Sequence, residues 1–128
     1  MAGQLVPLVL LPRYTTYVGK PGTGAGTIGV AYFSTIAMDV TQYSSAIISV
    51  WRGKLIGSPT PGITFTLQES MDQVSWTDLT AGFDPGENIE TETTVSLTKR
   101  WFRIIVLLGG ADNACSCYAV GFLEERLS

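Results

Sequence analysis

The sequence predicts an all-β chain, a single-domain β-sandwich of jelly-roll-like type with roughly eight strands and an extended N-terminal arm. Three features lead there. Apolar runs of strand length recur along the chain, separated by clusters of Gly, Pro, Asn and Asp. In residues 63–70, Ile63, Phe65 and Leu67 alternate with Thr64, Thr66 and Gln68, the period of a strand with one wet face. No segment shows the i, i+3, i+4 apolar spacing of an amphipathic helix. With 128 residues the chain can bury a core without metal or disulfide staples. It divides into an arm or edge strand over residues 1–14 and a sandwich over residues 15–128.

The first element is Leu5-Val-Pro-Leu-Val-Leu-Leu11. It lacks the positive flank and small-residue cleavage site of a signal peptide, and Pro7 and Pro12 interrupt it. It is also too short to cross a bilayer, so no membrane is expected as a partner. Two readings remain open: a first strand, or an extended arm whose prolines suit an edge and which docks on a neighbouring subunit. The candidate contact residues of that arm are Leu5, Val6, Leu8, Val9, Leu10, Leu11, Arg13 and Tyr14.

Next comes Gly19-Lys-Pro-Gly-Thr-Gly-Ala-Gly-Thr-Ile-Gly29, in which Gly24 to Gly29 satisfy G-x-G-x-x-G. A dinucleotide site needs those glycines to open a helix that faces a pyrophosphate, and here the following residues 30–36 are β-rich. A surface loop is the expectation, with no cofactor.

Strands are then expected at residues 33–39, 45–52, 63–70, 76–80, 89–97, 101–108 and 115–124. Turn signals at 57–62, 84–86 and 109–113 separate several of them. The segment Ser70-Met-Asp-Gln-Val-Ser75 reads as a hairpin turn, and Trp76 opens the return strand. Two strands are apolar on both faces, the mark of a central or covered strand. In residues 101–108, Phe102, Ile104, Val106 and Leu108 make one face, and Trp101, Arg103, Ile105 and Leu107 a mixed second one. In residues 45–52, Ile47 and Trp51 oppose Ala46, Ile48 and Val50. Trp101, Ile105 and Leu107 are therefore candidate interface residues alongside the arm.

Charge and reactive residues narrow the function. Hydrophobic residues make up 45% and charged ones 15%, lean in charge for a monomer and suggestive of apolar surface that a partner covers. A net charge of -3 offers no basic field for phosphates, which argues against nucleic acid. The chain contains no His, so neither a Ser-His-Asp nor a Cys-His mechanism can be assembled within it. Cys115 and Cys117 share one strand face and read as buried structural thiols, because no further ligands at metal-binding spacing accompany them. Glu69, Asp72, Asp78, Glu87, Glu90 and Glu92 sit at turns or alternate strand positions, where solvated faces are the default. They do not make a persuasive two-carboxylate hydrolase, and no metal site is assigned to them. Glu90 and Glu92, two apart on one strand face, would repel each other unless a cation or an Arg of a partner lay between them.

The pattern Leu67-Gln-Glu-Ser-Met-Asp-Gln-Val-Ser-Trp-Thr-Asp-Leu79, followed by Lys99-Arg-Trp-Phe-Arg-Ile-Ile105, resembles the S-x-D-G-x-x-W-x-x-L and R-Y-x-R-I core of discoidin-like jelly rolls. The same grammar is similar to that of small β-sandwich virion proteins of tailed bacteriophages. Gln73 stands where that pattern usually has Gly. The resemblance implies that Trp76 is a core anchor and that Arg103 stands on a sheet face. It further implies a non-enzymatic virion protein of the capsid decoration or cement kind, assembled in the host cytoplasm. Its partners would be the major capsid protein or other virion subunits, and it would form a homo-oligomer. A carbohydrate-binding or tail-adhesin module is the alternative, with Tyr14, Tyr17, Tyr32 or Tyr43 as a stacking platform.

Overall fold

In a computed structural model of the chain, residues 3–18 and 31–127 are described. They form nine strands: β1 (Leu5–Leu11), β2 (Thr16–Val18), β3 (Ala31–Ser34), β4 (Met38–Asp39), β5 (Tyr43–Arg52), β6 (Ile56–Ser70), β7 (Thr77–Asp78), β8 (Glu90–Ser96) and β9 (Trp101–Glu125). These make two antiparallel sheets packed face to face, an all-β sandwich. The Gly-rich segment of residues 19–29 lies outside the described residues.

The architecture is governed by β9, whose 25 residues run through both sheets. Along one of its edges lie β1, β2, β3 and β4 in succession, pairing from Glu124 back to Trp101. Along the other edge lie β5 and β6, which pair from Glu125 back to Trp101. Beyond them, β8 pairs with β5 and β7 with β6, and between them lie two isolated bridges, Phe65–Phe83 antiparallel and Arg52–Glu87 parallel. The described chain is thus a four-lane antiparallel ribbon folded once across its middle. One half is sheet A, in the order β8, β5, the C-terminal half of β9, and β1. The other is sheet B, where β6 and β7 lie on one side of β9 and β2, β3 and β4 on the other.

The fold line accounts for a difference from the sequence expectation, which placed separate strands at 101–108 and 115–124. Phe102, Ile104, Val106 and Leu108 point inward, and then so do Asn113, Cys115, Cys117 and Ala119. The inward set changes parity within residues 109–112, where the register of β6 against β9 also slips. Glycines there let the strand change direction without ending, because neighbouring lanes bend alongside it. The buried Asn113 donates from Nδ2 to the Leu108 carbonyl at 2.7 Å, tying the two sides of the bend. The signal at 57–62 likewise lies within β6 rather than between strands.

The core is the set of inward residues from both halves. Leu8, Leu10 and Leu11 of β1 pack with Ala46, Ile48 and Val50 of β5, Phe65 and Leu67 of β6, and Phe102, Ile104 and Leu123 of β9. This settles the N-terminal element as an edge strand of sheet A. It also corrects part of the predicted arm: Leu8, Leu10 and Leu11 are buried in this chain's own core and are unavailable to a neighbour. A register irregularity between Val9 and Leu11 explains why Leu10 and Leu11 both face inward.

At the open end, Leu97–Arg100 crosses from sheet A to sheet B. The buried Glu69 pins this crossing, accepting hydrogen bonds from Thr98 N (2.9 Å), Thr98 Oγ1 (2.7 Å) and Lys99 N (3.0 Å). Glu69 therefore departs from the solvated position expected of it. The hairpin after β6 is organised by Ser70 and Asp72. Ser70 Oγ accepts from Asp72 N and Gln73 N, while Asp72 Oδ1 accepts from Val74 N and Ser75 N. Gln73 takes φ +63, the left-handed conformation for which Gly is the usual residue.

Candidate functional site

The outward faces of the two sheets differ. On sheet B, the Arg103 guanidinium sits over the Trp76 ring, 3.9 Å from its centroid, and its Nε donates to Gln68 Oε1 at 3.0 Å. Arg100 covers Trp101 at 5.0 Å. Ile105 is buried, and Leu107 is the exposed member of the predicted trio. Trp101, Ile105 and Leu107 therefore share a face without making an open patch. Arg103 stands on a sheet face as the resemblance implied. Trp76, in contrast, is half-buried on the outside and is not part of the core cluster.

Sheet A carries the open apolar face. Its cross-strand rows follow from the register. Pro7 lies beside Phe122 and Ile47; Val9 beside Val120 and Ser49; Leu5 beside Glu124 and Ser45. These residues point away from the core because their neighbours in sequence, Leu8, Ala46, Ile48, Ala119 and Leu123, point into it. Val9 is 60% exposed, Leu5 47% and Phe122 44%. A solvated sheet face ordinarily alternates to polar residues, and the row Pro7, Phe122 and Ile47 departs from that pattern across three adjacent strands. Of the predicted arm, Leu5 and Val9 belong to this face together with Pro7, and Val6 is half-buried.

The fourth row ends the face near the fold line. Trp51 and Tyr118 are cross-strand partners whose rings stack at 5.4 Å with 16° between planes. The guanidinium of Arg13 lies 4.1 Å from the Tyr118 centroid. Tyr14, fully exposed with φ +63, stands beside this ladder. The groove there has a volume of about 410 Å³ and is lined by Arg13–Thr16, Trp51 and Ser116–Tyr118. Tyr17 and Tyr43 pack against the core instead, and the Tyr32 side chain lies outside the described residues. Trp51 was legible as the outward residue of a two-faced strand. Tyr118 was missed because its outward direction depends on the parity change in β9.

On the acidic side, β8 sets Glu92 opposite Ser49 and Glu90 opposite Trp51, both exposed. Among the described residues, no three His, Cys, Asp or Glu side chains converge on a metal position. At the fold line Arg52 forms a two-point ion pair with Asp84, Nε to Oδ1 at 2.7 Å and Nη2 to Oδ2 at 3.1 Å. Burial alone would raise the Asp84 pKa, but Arg52 and the Gly86 N–H outweigh it and leave the carboxyl below its ordinary value. Cys115 and Cys117 are buried free thiols. Burial pushes both up, Cys117 to about 12 with Cys115 adding to the effect, which leaves them protonated and unreactive.

A groove of about 990 Å³ is lined by Asp39, Thr41–Tyr43, Met71, Thr98–Arg100 and Arg126. Its cations are occupied within the fold. Arg100 pairs with Asp39 at 3.0 Å, Lys99 donates to Thr77 Oγ1, and Arg126 donates to the Tyr43 and Leu97 carbonyls. No family model, curated protein or solved structure matches this chain.

Proposed function

We propose that this protein is a non-enzymatic structural component of a multi-subunit particle, of the virion decoration or cement kind that its sequence pattern resembles. The observation that carries the reading is the apolar outer face of sheet A. Exposed Pro7, Val9 and Phe122, with half-buried Ile47 and Val120 between them, form an apolar patch flanked by polar and charged residues, the anatomy of a protein interface. A rigid sandwich that binds only the assembled state stabilises that state by mass action. Major capsid protein or other virion subunits are the partners in this account. Sedimentation with purified particles tests it. Wild-type protein should co-sediment, Phe122→Glu should not, and Leu107→Glu on the opposite sheet should behave as wild type. Equal binding by Phe122→Glu and wild type refutes the assigned face.

The Arg13, Tyr118 and Trp51 ladder beside the exposed Tyr14 favours a second reading, a carbohydrate-binding or adhesin module, since a cationic aromatic groove suits a glycan. A glycan that saturably quenches tryptophan fluorescence in wild type and not in Trp51→Ala would support that reading.

A further inference from the structure

We propose that the occupant of the sheet A face is a second copy of this chain, related by a two-fold axis parallel to the strands and passing between β9 and β5. This rests on the reading of that face as a protein interface, and it makes the pair rather than the single chain the unit that joins the particle. Two observations lead to a like partner.

The first is charge placement. Arg13 caps the β1 side of the face, on Tyr118. Glu90 ends the same cross-strand row on the β8 side, through Tyr118 and Trp51, with Glu92 one row away. A two-fold axis along the strands turns one side of the face onto the other within each row. Arg13 then meets the partner's Glu90, and Glu90 meets the partner's Arg13, the reciprocal contact that an isologous interface requires. Glu90, which shares a strand face with Glu92, gains a cation in both copies. Between these rims, Phe122 packs on the partner's Ile47 and Ile47 on the partner's Phe122, and Tyr118 meets the partner's Trp51, as in aligned sheet packing.

The second is area. The four strands of sheet A, with β1 and β8 each seven residues long, project about 440 Å² at ordinary strand spacing and rise. Two copies thus cover about 900 Å² in projection. Standing side chains raise the accessible area above that, towards the ~1,200 Å² at which stable interfaces begin.

Analytical ultracentrifugation of the full chain tests the pairing. Wild type at about 100 µM, well above a micromolar Kd, should sediment as a dimer of 13.8 kDa chains. Phe122→Glu, whose side chain faces away from the core, should weaken the dimer at least about tenfold while keeping the far-UV circular dichroism spectrum of the folded chain. Arg13→Glu should weaken it too, and Arg13→Glu combined with Glu90→Arg should restore it. A monomeric wild type, a dimer indifferent to Phe122→Glu, or a charge swap without rescue would each overturn the proposal. A wild-type monomer that still co-sediments with particles would overturn the pairing alone. A dimer that ignores particles would overturn the structural role and leave the pairing standing.

Discussion

Removing residues 1–11 should unfold the protein rather than release a functional arm. The truncation strips β1 from β9, where six residues from Leu5 to Leu11 are in register, and takes Leu8, Leu10 and Leu11 out of the core at 4%, 8% and 4% exposure. Burying one leucine side chain contributes about 1.5–3 kcal/mol. Three leucines therefore account for about 5–9 kcal/mol, before the lost ladder hydrogen bonds are counted. A domain is stable by only about 5–15 kcal/mol in total, so little or nothing remains. Point variants resolve the same alternation without the risk of unfolding. Leu8→Ala should cost about 2–5 kcal/mol, whereas Val9→Ala, one residue away and facing outward, should stay within about 0.5 kcal/mol. Urea unfolding followed by tryptophan fluorescence and far-UV circular dichroism reads both. A truncated chain with an unchanged midpoint, or equal effects at Leu8 and Val9, would refute the placement of β1.

Other consequences are open to the same methods. Gln73→Gly should stabilise the hairpin by about 0.5–1 kcal/mol, because position 73 holds φ +63 and Gly adopts it without strain; a higher thermal midpoint checks this. Glu69→Ala should cost about 3 kcal/mol or more by orphaning the Thr98 and Lys99 N–H groups at the sheet crossing, and urea titration measures it. Stability should form a plateau against pH. Asp39 is held low chiefly by Thr41, Asp72 by the Ser75 and Val74 N–H groups, and Asp84 by Arg52 against its own burial. Groups with depressed folded pKa stabilise the fold above their unfolded values, so stability should fall as the pH drops below about 4. Cys117, raised to about 12, acts in the opposite sense. Its unfolded thiol ionises first, so stability should decline from about pH 9 upward, and Cys117→Ala should reduce that slope, with Cys115 and Tyr17, raised in the same sense, supplying the rest. Thermal melts from pH 2 to 11 cover both limbs.

How much of this was legible in the sequence depends on whether a signal was local. The alternation in Ile63, Phe65 and Leu67 and the Ser70–Ser75 turn are local, and the structure has both. Gln73 is instructive, since the turn keeps the backbone that a Gly would favour although the residue differs. The glycines of 109–113 read as a chain reversal, yet a bend shared by several paired strands uses the same residues. Only the pairing partners tell the two apart. The candidate face was half visible. Leu5, Val9 and Arg13 were named with the arm, and Ile47 and Trp51 stood out as the second face of a strand. Phe122, Val120 and Tyr118 were not, because nothing in the sequence aligns residue 122 with residues 7 and 47. The same is true of Arg52 with Asp84 and of Glu69 with Thr98, contacts between residues 32 and 29 positions apart.

The most direct test of the central claim, a structural subunit of a particle, is the copy number of this polypeptide in purified particles from its source. Quantitative mass spectrometry against the most abundant shell protein supplies it. The count should be comparable to that of the shell protein, in even multiples if the chains pair through sheet A. Complete absence from the particles would contradict it and turn attention to the aromatic groove at Arg13, Trp51 and Tyr118.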